Sequence, residues 1–277
     1  WIFGPEPYNV NGYGPDAVIS KTESSLGITY GANNVFTTAY NHQFNMRAAA
    51  NYVTGSHTMK FGIQDMWGTR QYSYDTNQAQ AWTFSKGIPT TITEYARPLI
   101  DLEKLKAALG LYAQDRWTIG KLTLNYGIRF DYHNAYVPAQ NLAAIPFVAA
   151  RQYDPVYNVP NWKDWSPRLG AAYDLFGDGK TALKVSLGRY VAKNTLAVPE
   201  ANNPVTTSVN QVTRAWNDAN GNYIPDCDLL NRQQNGECGP LANQNFGGLQ
   251  PTTRWSDEVL HGHGREFNWD FSSEVQR

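Results

Sequence analysis

Apolar and polar residues alternate with a period of two along most of this sequence, and this feature constrains the fold more than any other. Between Tyr40 and Tyr52, one face holds Tyr, His, Phe, Met and Ala, while the other holds mainly Asn, Gln and Arg. The cleanest alternation places on one face Leu122, Leu124, Tyr126, Ile128, Phe130 and Tyr132. This pattern predicts long β-strands, each with an apolar face and a polar face.

The connections between the predicted strands are of two kinds. About seven strands are predicted, as pairs at 39–69, 107–133 and 166–191 and the start of a further strand at 266–277. Short turns within the pairs fall at 54–56, 119–121 and 176–180. Long loops join the pairs at about 70–106, 134–165 and 192–265, and 1–38 is predicted to be the end of another loop. Outer-membrane barrels have short turns at the periplasmic end and long loops at the extracellular end.

Composition separates the remaining fold classes. Charged residues make up only 17% of the chain, and the polar strand faces are mostly Asn, Gln, Thr, Ser and Gly, which suits a barrel interior better than a solvated sandwich face. Mean hydropathy is −0.52, and no run approaches the ~18 apolar residues of a membrane helix. A net charge of −1 does not favour nucleic-acid binding. We therefore predict an all-β fold: residues 1–277 form part of one antiparallel transmembrane β-barrel domain, located in the outer membrane of a Gram-negative-type cell.

Several segments resemble the barrel of TonB-dependent outer-membrane receptors. They are TAYNHQFN at 38–45, YVTGSHTMKFG at 52–62, LYAQDRW at 111–117, LTLNYGIRFD at 122–131, WSPRLG at 165–170 and LGRY at 187–190. Together with NWDFS at 268–272, they are most similar to the Oar-like subgroup, which carries a carboxypeptidase-regulatory-like domain. The resemblance covers most of the predicted strands, from about Thr38 to Arg277.

The resemblance implies energy-coupled uptake of a ligand through a plugged barrel of roughly 22 strands. The plug domain, the TonB-binding region and the C-terminal strands are not found in this sequence, so we interpret the chain as a barrel fragment. Expected partners are outer-membrane lipid, the protein's own plug domain, TonB, and an unknown small-molecule, glycan or peptide ligand. No cofactor is required and no enzymatic activity is expected.

Five basic residues are predicted to face the barrel interior because they lie on the polar side of the alternation. They are Arg47, Lys60, Arg129, Arg168 and Lys184. Each is a candidate contact to plug or substrate, although for each one we favour the alternative of a structural ion pair within the lumen.

The longest predicted loop contains both cysteines and a run of oxygen-bearing side chains. Cys227 and Cys238 are predicted to form a disulfide, with two free thiols or a metal pair as the alternatives. Beside them, a structural calcium site is a candidate interpretation of Asp218, Asn220, Asn222, Asp226 and Asp228. The alternative is a surface loop rich in Asx turns, because no Glu stands at the twelfth position of an EF-hand.

Other chemical motifs are weak. His261 and His263 have no evident third metal ligand, and the charged run 101–106 is predicted to be the solvated start of a strand. No Gly-x-Ser-x-Gly or His-Glu-x-x-His motif occurs. Two other functions remain open: a non-transporting barrel for adhesion or surface assembly, and a secreted all-β carbohydrate-active enzyme with a carboxylate pair in a cleft.

Overall fold

A computed structural model describes residues 19–33, 35–193, 196–252 and 255–277. Residues 1–18, the first part of the predicted loop end 1–38, therefore lie outside the described residues. Within the described part of the chain, no helix has the length and apolar character needed to cross a membrane.

The described residues form strands and two short helices, numbered here in chain order. The strands are β1 (Ser20–Glu23), β2 (Ile28–Tyr30), β3 (Phe36–Thr54), β4 (His57–Asp75), β5 (Gln80–Ser85), β6 (Ile88–Tyr95), β7 (Leu99–Ile119), β8 (Leu122–Tyr136), β9 (Gln140–Leu142), β10 (Arg151–Tyr153), β11 (Asn161–Asp174), β12 (Ala182–Val191), β13 (Gln211–Ala215), β14 (His261–Gly262) and β15 (Phe267–Gln276). The helices are α1 (Ala197–Ala201) and α2 (Asp257–Leu260).

Seven long strands build the main sheet, in the order β15-β12-β11-β8-β7-β4-β3. All neighbours in this order are antiparallel, and the two-residue strand β14 adds a parallel pairing to β11. Within the described residues β3 and β15 are the edges, so the sheet is open rather than closed into a barrel. This is the predicted partial antiparallel barrel architecture.

Tight turns connect the strand pairs at one end of the sheet. Gly55 and Gly120 adopt φ values of 53° and 56°, which a residue with a Cβ rarely tolerates. In the third turn the Asp174 carboxylate accepts hydrogen bonds from the Gly177 and Gly179 amides at 2.8 and 2.9 Å. The residues of each turn therefore fix the register of the two strands that the turn connects.

Two strands extend well beyond their predicted ends. β4 continues to Asp75 and β7 begins at Leu99, so the connection between them is far shorter than the predicted loop 70–106. A β-bulge shifts the pairing of β4 with β7 between Gln64 and Gly68, and because the pairing of β4 with β3 is continuous there, the extra residue belongs to β7.

The charged run 101–106 is not solvated, and that prediction is wrong. Asp101 and Glu103 are both fully buried, whereas Lys106 is exposed. The cause is the bulge in β7, between Leu105 and Ala107, which changes the phase of β7 so that the two acids lie on the protected face. Below this bulge, Leu109, Leu111 and Ala113 pair with Tyr132, Phe130 and Ile128 of β8 and so share the outward apolar face.

The long connections fold into an ordered layer at the end of the sheet opposite the tight turns. A five-stranded sheet with the order β13-β6-β5-β1-β2 forms its centre, and β9 pairs with β10 beside it. Three buried clusters hold the layer together. The first contains Ile19, Trp82, Phe84, Ile92, Trp216 and Cys238; the second contains Ala96, Val148, Val212, Leu241 and Phe246; the third contains Val137, Val159, Trp162, Val198 and Leu260.

Candidate functional site

The polar face of the main sheet forms an open groove of about 660 Å³. Its lining includes all five basic residues singled out by the alternation: Arg47, Lys60, Arg129, Arg168 and Lys184. They come from five different strands, β3, β4, β8, β11 and β12, and only the antiparallel registers bring them together. The structure thus collects these side chains on one surface, and we call it the cationic groove.

The five cations differ in how far they are neutralised. Arg129 donates through Nε to both Asp131 oxygens at 2.9 Å, and its Nη2 lies 2.8 Å from Asp131 Oδ1. Arg168 lies over the Tyr190 ring at 4.7 Å, and Lys184 Nζ donates to Gln276 Oε1. Arg47 and Lys60 form no ion pair with a described residue. The groove therefore keeps several positive charges for another molecule or another part of the protein.

The groove continues towards the loop layer. A second hollow of about 480 Å³ shares Arg47, Arg129 and Arg168 with the first and adds further cations, among them Arg189 and Arg265. Arg189 contacts buried Asp164 at 3.1 Å, and Arg265 Nε donates to the Ala192 carbonyl at 2.7 Å. The positive charge thus extends along the polar face from near the tight turns to the loop layer.

Glycines shape the groove by leaving room for large side chains. A Cβ at Gly110 would collide with the Arg129 guanidinium, and a Cβ at Gly62 would collide with the Tyr112 ring. The Gly residues that the alternation places on the polar face therefore have a packing role. Sequence reasoning had counted them only as small polar-face residues.

A buried network joins the sheet to the loop layer. Arg70 on β4 contacts Glu103 on β7 at 2.8 Å and Glu200 on α1 at 2.9 Å, and Asp101 lies 3.6 Å away. Asn203 donates to the remaining Glu103 oxygen at 2.8 Å. Because α1 covers these carboxylates and Arg70 neutralises them, they do not form an open acid/base pair of the kind a carbohydrate-active enzyme needs.

A second buried cation organises the loop layer itself. Arg214 on β13 lies 3.2 Å from Glu94 on β6 and donates to the carbonyl oxygens of Gly239, Asn231 and Gln233 at 2.9–3.0 Å. Both charged side chains are almost inaccessible to solvent. Burial raises the pKa of Glu94, an effect that Arg214 opposes. No local sequence pattern indicated this pair, since the two residues are 120 positions apart.

The cysteine loop is stapled and rich in Asx turns. Cys227 and Cys238 form a disulfide, with their Cα atoms 5.8 Å apart. Asp218 accepts from the Asn222 and Tyr223 amides, and Asp226 accepts from the side-chain amides of Asn220 and Asn222 at 2.6 and 2.9 Å. The structure thus brings together four of the five candidate calcium ligands.

The fifth candidate ligand, Asp228, belongs to a neighbouring turn, where its carboxylate accepts from the Leu230 amide at 2.9 Å. Nowhere in the described ranges do three or more His, Cys, Asp or Glu side chains form a group suited to a metal ion. His261 forms part of the short pairing of β14 with β11. Calcium binding by the loop stays a prediction.

The family is decided by a comparison with protein-family models. The model described as "Outer membrane beta barrel domain" matches residues 4–276. The chain belongs to this family. As an outer membrane β-barrel domain, it lies in the outer membrane, with tight turns at the periplasmic end and the loop layer at the extracellular end.

Two individual proteins are similar to parts of this barrel domain. The TonB-dependent transporter Oar of Myxococcus xanthus is 28% identical over 123 residues, which are 44% of this chain and 9% of that protein. The solved structure of the outer membrane transporter YddB from Escherichia coli matches with 15% identity and a TM-score of 0.44, over 73% of this chain and 27% of that one. The chain thus spans a small part of the length of each.

The barrel domain's outward face carries an apolar band between two rows of aromatic rings. Phe44 and Trp67 stack at 5.9 Å in the extracellular row, as do His57 and Trp117 at 5.1 Å in the periplasmic row. Phe44 and Tyr52 are eight positions apart on β3, so tilted strands give the band a height of roughly 20 Å. This matches the hydrocarbon layer that an outer-membrane barrel must face.

One carboxylate lies on this outward face, and sequence reasoning missed its role. Asp115 Oδ2 lies 2.6 Å from His57 Nδ1 and accepts from the Tyr126 hydroxyl at 2.7 Å. His57 lies next to the periplasmic turn, and Asp115 and Tyr126 belong to the two strands of the neighbouring hairpin. Asp115 lies on the same face of β7 as Ala113 and Trp117, so its outward position could be predicted from the sequence. Its two hydrogen-bond partners could not.

Proposed function

We propose that this chain is part of the barrel of an Oar-like, TonB-dependent receptor, which takes up a ligand through a plugged lumen by energy-coupled transport. The observation that carries the proposal is the cationic groove, in which Arg47 and Lys60 lack an ionic partner among the described residues. An unfilled set of charges on the inner wall of a barrel needs a complement. A plug domain or a passing ligand supplies it.

Two further observations support the proposal. The loop layer is an ordered structure with three buried clusters directly beyond the groove, so it can present a defined capture surface. The partial similarity to the TonB-dependent transporter Oar points to the same class. The ligand is a small molecule, glycan or peptide, and TonB and the plug domain are the expected protein partners.

Energy-coupled transport predicts that the accessibility of the inner wall of the barrel depends on TonB. Because both native cysteines form a disulfide, a single new cysteine at Ser186, on the inner face of β12, provides a site-specific probe. We expect a membrane-impermeant maleimide to label Ser186→Cys in the full-length protein more strongly in energised cells than in cells lacking TonB. Asn141→Cys on the exposed loop strand β9 is the matched control and should be labelled equally in both.

Equal labelling of Ser186→Cys with and without TonB contradicts energy-coupled transport. That result favours a barrel for adhesion or surface assembly, which has one specific observation behind it: several apolar side chains on the loop layer are exposed. Leu26, Ile88 and Leu230 are 70%, 66% and 68% exposed. Cell-surface adhesion of wild-type cells compared with a variant carrying Ser at these three positions then tests that second function.

A further inference from the structure

The hollow of about 480 Å³ that joins the cationic groove to the loop layer has a large excess of positive charge, and we call it the extracellular hollow. Six basic side chains line it against two acidic ones, Asp65 and Asp131. The basic residues are Arg47, Arg129, Arg168, Arg189, Lys193 and Arg265. Only Arg129 and Arg189 form an ion pair with a described residue. The other four charges attract an anion.

At one end of the extracellular hollow, an arginine and a serine lie side by side on β11. Arg168 and Ser166 are two positions apart, so they share the inner face of the strand. The Arg168 guanidinium lies over the Tyr190 ring at 4.7 Å, which holds the side chain without neutralising its charge. Ser166 is 2% exposed, and its Oγ has no hydrogen-bond partner among the described residues. This end therefore offers one positive charge and one unused buried hydroxyl.

At the other end, an arginine and a histidine both contact the Trp162 ring. The Arg265 guanidinium lies 5.9 Å from the centre of that ring, and the His133 ring stacks on it at 5.7 Å. Arg265 Nε donates to the Ala192 carbonyl at 2.7 Å, which fixes the position of the side chain. His133 is 4% exposed, and within the described part of the chain its Nε2 has no hydrogen-bond partner. The second end thus repeats the combination of a cation and an unused buried polar atom.

The strand register sets the distance between the two ends. Ser166 and Trp162 are four positions apart on β11, and His133 on β8 pairs directly with Trp162. At about 3.3 Å per residue, the two ends lie roughly 13 Å apart along the strands. A single carboxylate or phosphate cannot reach both ends, whereas an elongated molecule can.

The wall between the two ends is electrically neutral. Asp131 on β8 and Asp164 on β11 pair in the register midway between them. Arg129 Nη2 lies 2.8 Å from Asp131, and Arg189 Nη2 lies 3.1 Å from Asp164. Two cations and two anions therefore cancel at the centre, and the charge along the extracellular hollow is positive, neutral and positive in turn.

We propose that the extracellular hollow binds an elongated small molecule with an anionic group, carboxylate or phosphate, at each end and a polar, uncharged middle. Arg168 and the Ser166 hydroxyl hold one anionic group, and Arg265 and His133 hold the other. Because a buried polar atom without a partner costs free energy, the ligand gains affinity from Ser166 and His133 as well as from the two charges. The inference names the ligand class of the proposed receptor and rests on that function for its role in uptake, although binding itself needs no energy coupling.

The test measures binding to the purified full-length protein in detergent, by isothermal titration calorimetry at low salt. The two probes, fructose 1,6-bisphosphate and succinyl-glycylglycine, each have two anionic ends and a polar middle. The one that binds more tightly identifies the terminal groups as phosphate or carboxylate. Fructose 6-phosphate, which has one anionic group, should bind about tenfold more weakly than the bisphosphate, and fructose should not bind.

Variants at the two ends distinguish a binding role from a structural one. Arg168→Gln and Arg265→Gln should each weaken binding of the tighter probe by about tenfold, because each removes the charge at one end. Ser166→Ala should weaken binding severalfold yet leave the thermal stability of the protein unchanged, because the lost hydroxyl has no partner among the described residues. Arg116→Gln removes the same charge from the polar face near the periplasmic turns and should bind as wild type does.

Failure of either two-ended probe to bind is informative only when both fail, and that result would overturn the proposal. Equal affinity for fructose 6-phosphate and the bisphosphate, wild-type affinity in Arg168→Gln and Arg265→Gln, or an equal loss in Arg116→Gln would overturn it as well. These outcomes are separate from the labelling of Ser186→Cys, which tests energy coupling. A protein that binds neither probe but is labelled in a TonB-dependent way keeps the proposed function and loses only this inference, whereas binding without TonB-dependent labelling has the opposite meaning.

Discussion

The membrane-spanning sheet and the extracellular loop layer follow different physical rules. In the sheet, a continuous backbone ladder holds the strands together, and apolar side chains such as Phe61 and Ile128 are exposed because their solvent is lipid. In the loop layer, apolar side chains such as Trp82 and Trp216 are buried together, as in a water-soluble domain. The sheet thus depends on the alternation of apolar and polar residues along each strand. The loop layer depends instead on contacts between residues that are distant in the sequence.

The largest effect that separates the two regions is expected at Arg214. Arg214→Ala leaves Glu94 as an unpaired buried charge and removes the donors to three carbonyl oxygens, which should destabilise the loop layer by about 3–5 kcal/mol. Hydrogen exchange of the full-length protein should show loss of protection in 211–249 and unchanged protection in the main sheet. Arg116→Ala, at an exposed position on the polar face, is the control and should alter neither region.

If Arg214→Ala also released protection across β7 and β8, the two regions would be one cooperative unit. The stability of the sheet would then depend on the core of the loop layer.

The same difference explains what could be predicted from the sequence. The seven strands, the tight turns and the sets of residues on each face were readable because alternation and turn chemistry are local. The extracellular part of β7 was not, because the bulge at Lys106 inverts the phase and places Asp101 and Glu103 inside. The cores of the loop layer could not be predicted either, since Ile19 and Trp216 come into contact only in the folded chain.

The candidate site divides in the same way. The composition of the cationic groove follows from alternation alone, so its five basic residues could be proposed together. The Arg70 network, the Arg214–Glu94 pair and the Asp115 contacts join residues from different strands and loops. Such contacts depend on the registers and on loop folding, for which a single sequence offers no local signal.

A second, somewhat smaller effect tests the faces of the sheet. Ile128→Arg places a charge in the lipid-facing band and should lower the free energy of unfolding in lipid vesicles by about 2–4 kcal/mol. Asn125→Arg adds the same charge on the polar face of the same strand and should cost little. Equal losses for the two variants would show that the assignment of the lipid-facing side is wrong.

The disulfide should matter only to the loop layer. Replacing both Cys227 and Cys238 with Ser opens a loop with a sequence separation of 11, which should destabilise that layer by at most about 3 kcal/mol. Limited proteolysis should then cut within 217–238 at lower protease concentrations, while the main sheet stays resistant. Unchanged cleavage would mean that the Asx turns around Asp218 and Asp226 hold the loop without the staple.

The smallest effect is expected from the carboxylate of Glu23 in the loop layer, and it is measured as a dependence of local stability on pH. Glu23 accepts from the Ser25 hydroxyl at 2.5 Å, from the Ser25 amide at 2.9 Å, and from the Lys86 and Gly87 amides at 3.0 and 2.9 Å. The hydrogen bond from the Ser25 hydroxyl, followed by that from the Gly87 amide, lowers the pKa of Glu23 to about 2. Glu23 therefore holds the turn between β5 and β6 in its ionised form.

Because the folded pKa lies below the unfolded value of 4.5, Glu23 contributes stability above pH 4.5, and this contribution is lost as the pH falls towards about 2. Hydrogen exchange in 80–95 should therefore accelerate between pH 4.5 and pH 2, after correction for the intrinsic rate. Glu23→Gln should remove most of that pH dependence, whereas Glu258→Gln on α2 should leave it intact. If the β5–β6 hairpin of Glu23→Gln still loosened over the same interval, other acids of the loop layer would be responsible, and its acid sensitivity would be a collective property of the layer rather than of this turn.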